Sequence, residues 1–400
     1  MSTVAGARTA SIPPPVIPAA ARLPEFTGVR AFRHIAEIAA ADWDSLVPPD
    51  ELQMRHAFVR ACEEAEVEHA EYRHLLVYRR GVLVGIASLF RMTVRLELLC
   101  PGFLRSLIET VRRAYPRFLR PTLLFCGLPT SAGRKCLAFR APSDARFVLA
   151  QVAAYMEQAA RELGARLLCF KEFRPVEAEC LDALREHGYF RAFSLVSFRM
   201  ALPWRSFQEY LGAMRAGYRR QAKATLRAAA AAGLRCRTVA GEDADWERFF
   251  ALYEQVMDRA QFQLERLNLA FFRNLARYLP GQVRAITIER GDDLLAAAVL
   301  LETPGLTTFF MTGIDYERNG AVLAYPALIT EIVADAINAG TGSIELGQTS
   351  PALKSRVGGV PEPRYLYFRY RSRWAHALFR LTAPLLFPED SAPPRRVFRA

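Results

Sequence analysis

The sequence has no apolar run of the eighteen or so residues needed to cross a bilayer. The nearest, LLAAAVLL from Leu294, is strand-sized. The N-terminus lacks a basic stretch followed by an apolar core, and residues 1–26 read as a flexible Pro/Ala-rich leader. A cytoplasmic location is the expectation. Cys62, Cys100, Cys126, Cys136, Cys169, Cys180 and Cys236 contain no C-x-x-C spacing, and the six histidines do not group with them. Reduced core thiols are expected, with no structural metal and no disulfide framework. There is no G-x-S-x-G, no H-E-x-x-H, no P-loop and no protein-kinase motif set, and hydride-transfer fingerprints are missing too.

What is present begins with size and charge. The 400 residues suffice for two domains, and 52% hydrophobic with 24% charged residues is the balance of a globular protein. The net charge of +12 favours an anionic partner: nucleic acid, a nucleotide-bearing cofactor or a membrane surface. Nearly all of that charge is arginine. The few lysines include Lys135, Lys171, Lys223 and Lys354.

The chain repeats itself. HLLVYRRGVLVGIASLF (74–90) and RAITIERGDDLLAAAVLL (284–301) each read as a hairpin, with turns at Arg80-Gly81 and Arg290-Gly291. Each is followed by an amphipathic helix, a glycine stop at Gly164 or Gly340, and a strand, at 166–170 or 343–346. Each is preceded by a helical stretch, 42–65 or 245–278. The halves differ mainly by an insertion over 91–140. Duplication of one α/β unit is therefore expected, with units at 27–200 and 201–372 and a basic, aromatic tail over 373–400.

Three constellations carry candidate chemistry. Between Arg205 and Arg237 stand eight basic residues and one acid, Glu209. The pattern predicts one helix over 207–232, with Arg215, Arg219, Lys223 and Arg227 at four-residue steps on one face, suited to a polyanion. MTGIDYERNGAVLAYP (311–326) predicts a strand ending at Gly313 and a helix from about Ala321, a turn able to cradle phosphate through backbone amides. Its glycines are sparse, and Asp315 and Glu317 oppose phosphate. In IELGQTSPALKSRVGG (344–359) a strand runs into Gln348, Lys354 and the pair Gly358-Gly359. Glycine permits close backbone approach, and a lysine there would stabilise charge developing on a carbonyl oxygen or phosphate.

Two α/β units, a basic helix opening the second, TGID at a strand end and AINAGTGSIELGQTSPALKSRVGG together resemble the GNAT acyltransferase superfamily. More narrowly they resemble its duplicated branch, the FemAB-like transferases and BioF2-like acetyltransferase domains. The resemblance is strongest over 203–370. It implies an α/β (α+β) fold of two tandem GNAT-like units, each a mixed, mostly antiparallel sheet flanked by helices and splayed to admit an acyl donor. It implies transfer of an acyl or aminoacyl group to an amine on a small molecule or peptide, from acyl-CoA (acetyl-CoA) or from aminoacyl-tRNA. The long helical hairpin of many FemAB proteins is missing, which favours the general acyltransferase reading.

On this reading Lys354 contacts the oxyanion or donor phosphate, Asp315 and Glu345 are candidate bases, and Tyr325 is a candidate acid. Arg219, Arg220 and Lys223, with Gln348, Gly358 and Gly359, would bind the donor. The competing expectation is a non-catalytic GNAT-like scaffold that uses its basic surface for nucleic acid, a membrane or a partner. On either reading the tail offers peripheral membrane contact.

Overall fold

The computed structural model describes residues 25–94, 121–130, 132–260, 265–318, 323–389 and 395–399, together with Thr110 and Arg113. Half of the 91–140 insertion, including Cys100, lies outside the described residues, as do Asn319 and Gly320. The strands are β1 Gly28–Phe32, β2 Glu71–Arg79, β3 Val82–Thr93, β4 Thr122–Cys126, β5 Leu137–Phe139, β6 Leu167–Phe173, β7 Phe190–Phe193 and β8 Ser197–Ala201. They continue with β9 Arg235–Ala240, β10 Val283–Arg290, β11 Asp293–Thr303, β12 Leu306–Ile314, β13 Ser343–Gly347, β14 Val360–Glu362 and β15 Tyr365–Tyr370.

They form two mixed sheets flanked by helices. The first runs β1-β2-β3-β4-β6-β15-β7, with β5 also on β3; the second runs β14-β8-β13-β12-β11-β10-β9. Both hairpins form, the first turning at Arg80-Gly81 as expected and the second one residue later, at Gly291-Asp292, because Arg290 pairs with Asp293. Arg80 and Gly81 adopt φ of 49° and 75°, the left-handed pair that a two-residue hairpin turn requires. Each sheet is antiparallel except at one ladder. That exception is β4 with β6 in the first sheet and β12 with β13 in the second.

The chain crosses between the sheets at its seam. β8 pairs with β13 and β14 in the second sheet, whereas β15, far downstream, is inserted between β6 and β7 of the first. Nothing in the local pattern of either strand encodes this exchange, because both partners lie far away in sequence.

Helix Ala145–Glu162 covers one face of the first sheet, and helix Ala324–Asn338 covers one face of the second. A third core joins the halves, where Phe58 meets Phe271 and Phe310 edge-to-face with ring centroids 6.0 and 5.9 Å apart. Three predicted helices are interrupted. The stretch 42–65 breaks after Asp44 and resumes at His56, across Pro48-Pro49. The stretch 245–278 is two helices, Trp246–Arg259 and Leu269–Tyr278. The expected helix over 207–232 is likewise Phe207–Ala213 and Ala216–Ala231. Met214 turns extended there to bridge with Phe398, and the Arg215 amide donates to Val397 O. The described cysteines are unpaired, but Cys236 is exposed on β9, not in a core.

Candidate active site

The second sheet opens where β12 and β13 part. Their parallel pairing covers only Leu306–Thr308 with Ser343–Glu345, although β12 continues along β11 to Ile314. β13 then slips register against β8 between Glu345 and Gly347. Gly347 has φ of +74°, and a Cβ on it would sit 3.4 Å from both Lys354 Nζ and Phe309 O. Ser350, at φ 57°, leads into the short helix Pro351–Arg356.

That helix returns Lys354 beneath the strand end. Its side chain is buried, and Nζ lies 5.5 Å from the centroid of the Phe309 ring. Burial pushes the ammonium down to about 7, against an upward pull from Glu345.

Glu345 is held from both halves. Arg134 of the first half forms a buried ion pair with it, and Arg364 Nη2 donates to its Oε1 at 2.9 Å. Ser197 Oγ donates to the same oxygen at 2.9 Å. Arg134 also meets Glu51 at 3.0 Å, and Arg364 meets Glu362 at 2.6 Å. Burial works against ionisation of Glu345, but the two guanidiniums outweigh it and hold the carboxyl below its ordinary range. A carboxylate so engaged is a poor proton acceptor, and its geometry makes it the clamp between the halves.

The first half has a lysine at the corresponding strand end. Lys171 on β6 is buried, donates to Leu128 O at 3.1 Å and lies over the Phe90 and Phe125 rings. The next residue, Glu172, takes φ of 69° inside the strand. It accepts from Ser194 Oγ at 2.8 Å and from Gln348 Nε2 at 3.1 Å. Gln348 also donates to Leu195 O at 2.9 Å. The expected donor-binding Gln348 thus ties the candidate site to the first half.

The remaining predicted residues divide. Tyr325 OH donates to Ser350 Oγ at 3.2 Å, and burial raises its phenol, so it stays protonated beside the turn that leads to Lys354. Asp315 is not brought to Lys354: extended strand of about 20 Å separates it from Phe309. It accepts from the Arg318 amide at 2.9 Å and its guanidinium at 2.7 Å. Burial opposes ionisation of Asp315, but these bonds prevail and keep it below the usual carboxylate range. A capping role fits it better than that of a base.

Gly358 and Gly359 serve packing. A Cβ on Gly358 would strike the Phe398 ring at 2.5 Å, and one on Gly359 would meet Leu346 and Lys354 O at 2.9 Å. Arg219 is half-buried and donates to Gly212 O and Met214 O, each at 3.4 Å. Arg220 and Lys223 are exposed on helix Ala216–Ala231, which packs beside helix Ala324–Asn338. Arg134, Arg364, Glu51, Ser197, Lys171 and Glu172 are absent from the sequence-derived set. Only the scarcity of lysine marked Lys171 in advance. Among the described residues no three His, Cys, Asp or Glu side chains group as a metal site requires.

Two mixed sheets flanked by helices, the second opened between β12 and β13, are the arrangement to compare with known proteins. Residues 34–309 match the FemAB-like family, described as peptidoglycan biosynthesis/recognition, and the chain belongs to that family. The match stops short of β13 and Lys354. Similar solved structures include FemX, at 12% identity over 88% of this chain and 99% of that one, with a TM-score of 0.55. Others are L-PGS from Bacillus licheniformis (9%, 87% and 94%, 0.52) and a tandem GNAT protein from the clavulanic acid biosynthesis pathway (13%, 86% and 99%, 0.50). At these identities they establish the fold.

A Mycobacterium tuberculosis protein with the provisional name 8-amino-7-oxononanoate synthase 2 is 26% identical over 321 residues, 78% of this chain. The chain spans 41% of the length of that relative.

Proposed function

We propose that the protein transfers an acyl group to an amine from a donor that joins an activated ester to a phosphate-bearing carrier, either a CoA thioester or an aminoacyl-tRNA. The observation that carries this is Lys354, a lysine buried beside the opening between β12 and β13 with its Nζ over the Phe309 ring. The donor carbonyl seats in that opening. The amine nitrogen attacks the carbonyl carbon, a C–N bond forms, and negative charge collects on the oxygen near Lys354. The C–S or C–O bond then breaks, and the leaving group takes the proton that the amine gives up. Lys354 in its charged form stabilises the oxyanion, Tyr325 and Ser350 hold its turn, and Glu345 with Arg134 and Arg364 fixes β13. Arg220 and Lys223 steer the carrier's phosphates.

Incubation with labelled acetyl-CoA and, separately, with charged tRNA tests the reading. Binding of one donor and label transfer to an amine are expected; binding of neither would sink it.

A further inference from the structure

Helix Arg373–Leu386 is apolar on two opposite faces, and the fold uses only one. Inward, Phe379 and Ala383 are buried, with the Phe379 ring 5.3 Å from Phe368 and 5.6 Å from Phe190. Outward, Trp374, Leu378, Leu381 and Leu385 are 88, 63, 77 and 79% exposed. Their spacing of four, three and four residues aligns them as one stripe along three turns. Four large apolar side chains in a row, each mostly in water, are unlike the singly scattered apolar residues of an ordinary surface.

The charge beside the stripe states what it meets. Arg373 and Arg380 run along one flank, Arg371 precedes the helix, and all three are exposed. No acid occurs from Arg371 to Pro388, in a chain of net charge +12. Trp and Leu on one line with arginine beside it suit the boundary of acyl chains and headgroups. There the indole sits at the interface, and the guanidiniums reach anionic phosphates. A two-fold pairing of antiparallel helices would instead set arginine row beside arginine row, with no acid on the helix to answer it.

We propose that this face docks the protein peripherally on an anionic phospholipid bilayer. The inference is independent of the transfer chemistry, because lipid binding is read without any acyl donor. The test is co-sedimentation of the full chain with phosphatidylcholine vesicles and with vesicles that also contain phosphatidylglycerol. Trp374 emission is followed in parallel, since Trp43 and Trp246 are buried and Trp204 half-buried.

Binding to the anionic vesicles with a blue shift is expected, weakened by salt. The double variant L378S/L381S should bind at least about tenfold more weakly with its circular dichroism and melting unchanged. The double variant R373E/R380E should lose the preference for anionic lipid. Vesicle binding that is undetectable, equal on both compositions or unaltered in L378S/L381S overturns the proposal. So does a dimer in sedimentation velocity that L378S/L381S dissociates.

Discussion

Lys354 Nζ lies over the Phe309 ring, 5.5 Å from its centroid, with protein packed around the rest of the side chain. A charge placed there is costly to the fold and available to an anionic reactant, so stability and function pull on it in opposite directions. Lys354→Met should stabilise the protein at neutral pH by a few kcal/mol, as seen in urea unfolding, and abolish acyl transfer. Unchanged turnover would remove Lys354 from the site.

The pH dependence has a definite sign. Lys354 gives up its proton at about 7 in the folded protein and near 10.5 in the unfolded chain. Between those values the unfolded chain binds the extra proton, so stability rises with pH across that window. Below it the penalty is fully present. Lys354→Met should flatten this segment of a melting-temperature profile. In kcat/KM against pH, loss of the charged form produces a falling limb near 7, which Lys354→Arg should lack.

Glu345 separates a clamp from a base. Glu345→Gln removes the carboxylate that Arg134 and Arg364 share and leaves each only its second partner, Glu51 or Glu362, which should lower stability in denaturant unfolding by about 1–3 kcal/mol. Where the variant is still folded, transfer should persist, with the falling limb moved to lower pH because Glu345 pulls the Lys354 value up. A fully stable but inactive variant would restore the role of base.

The basic helix supplies a fourth check. Arg220→Ala with Lys223→Ala should raise KM for the donor several-fold and leave kcat unchanged, since both side chains are exposed on the helix surface and act by steering the donor. The difference from the parent should shrink as salt rises. An effect confined to kcat would place these residues in the chemistry.

Much of this architecture is readable from local pattern. The two hairpins, the helices ending before Gly164 and Gly340, and the strands that follow each obey a period or a stop that neighbouring residues carry. The helix breaks are less readable. The break at Met214 depends on Phe398, which no window around Met214 contains. Lys354 was visible as a lysine past a strand end, but its burial was not. The helix Pro351–Arg356 that buries it is too short to carry a periodic signal.

Residue order alone therefore settled the repeated order of hairpin, helix and strand and the run of basic residues between Arg205 and Arg237, because each depends on spacings of a few residues. Tertiary structure decided the rest. It moved β8 into the second sheet and β15 into the first. It turned Glu345 from a candidate base into the partner of Arg134, 211 positions away. It stripped Lys354 of water. Burial and ionic pairing are properties of what surrounds a side chain in space, and at Glu345 part of those surroundings, Arg134, comes from the other half of the chain.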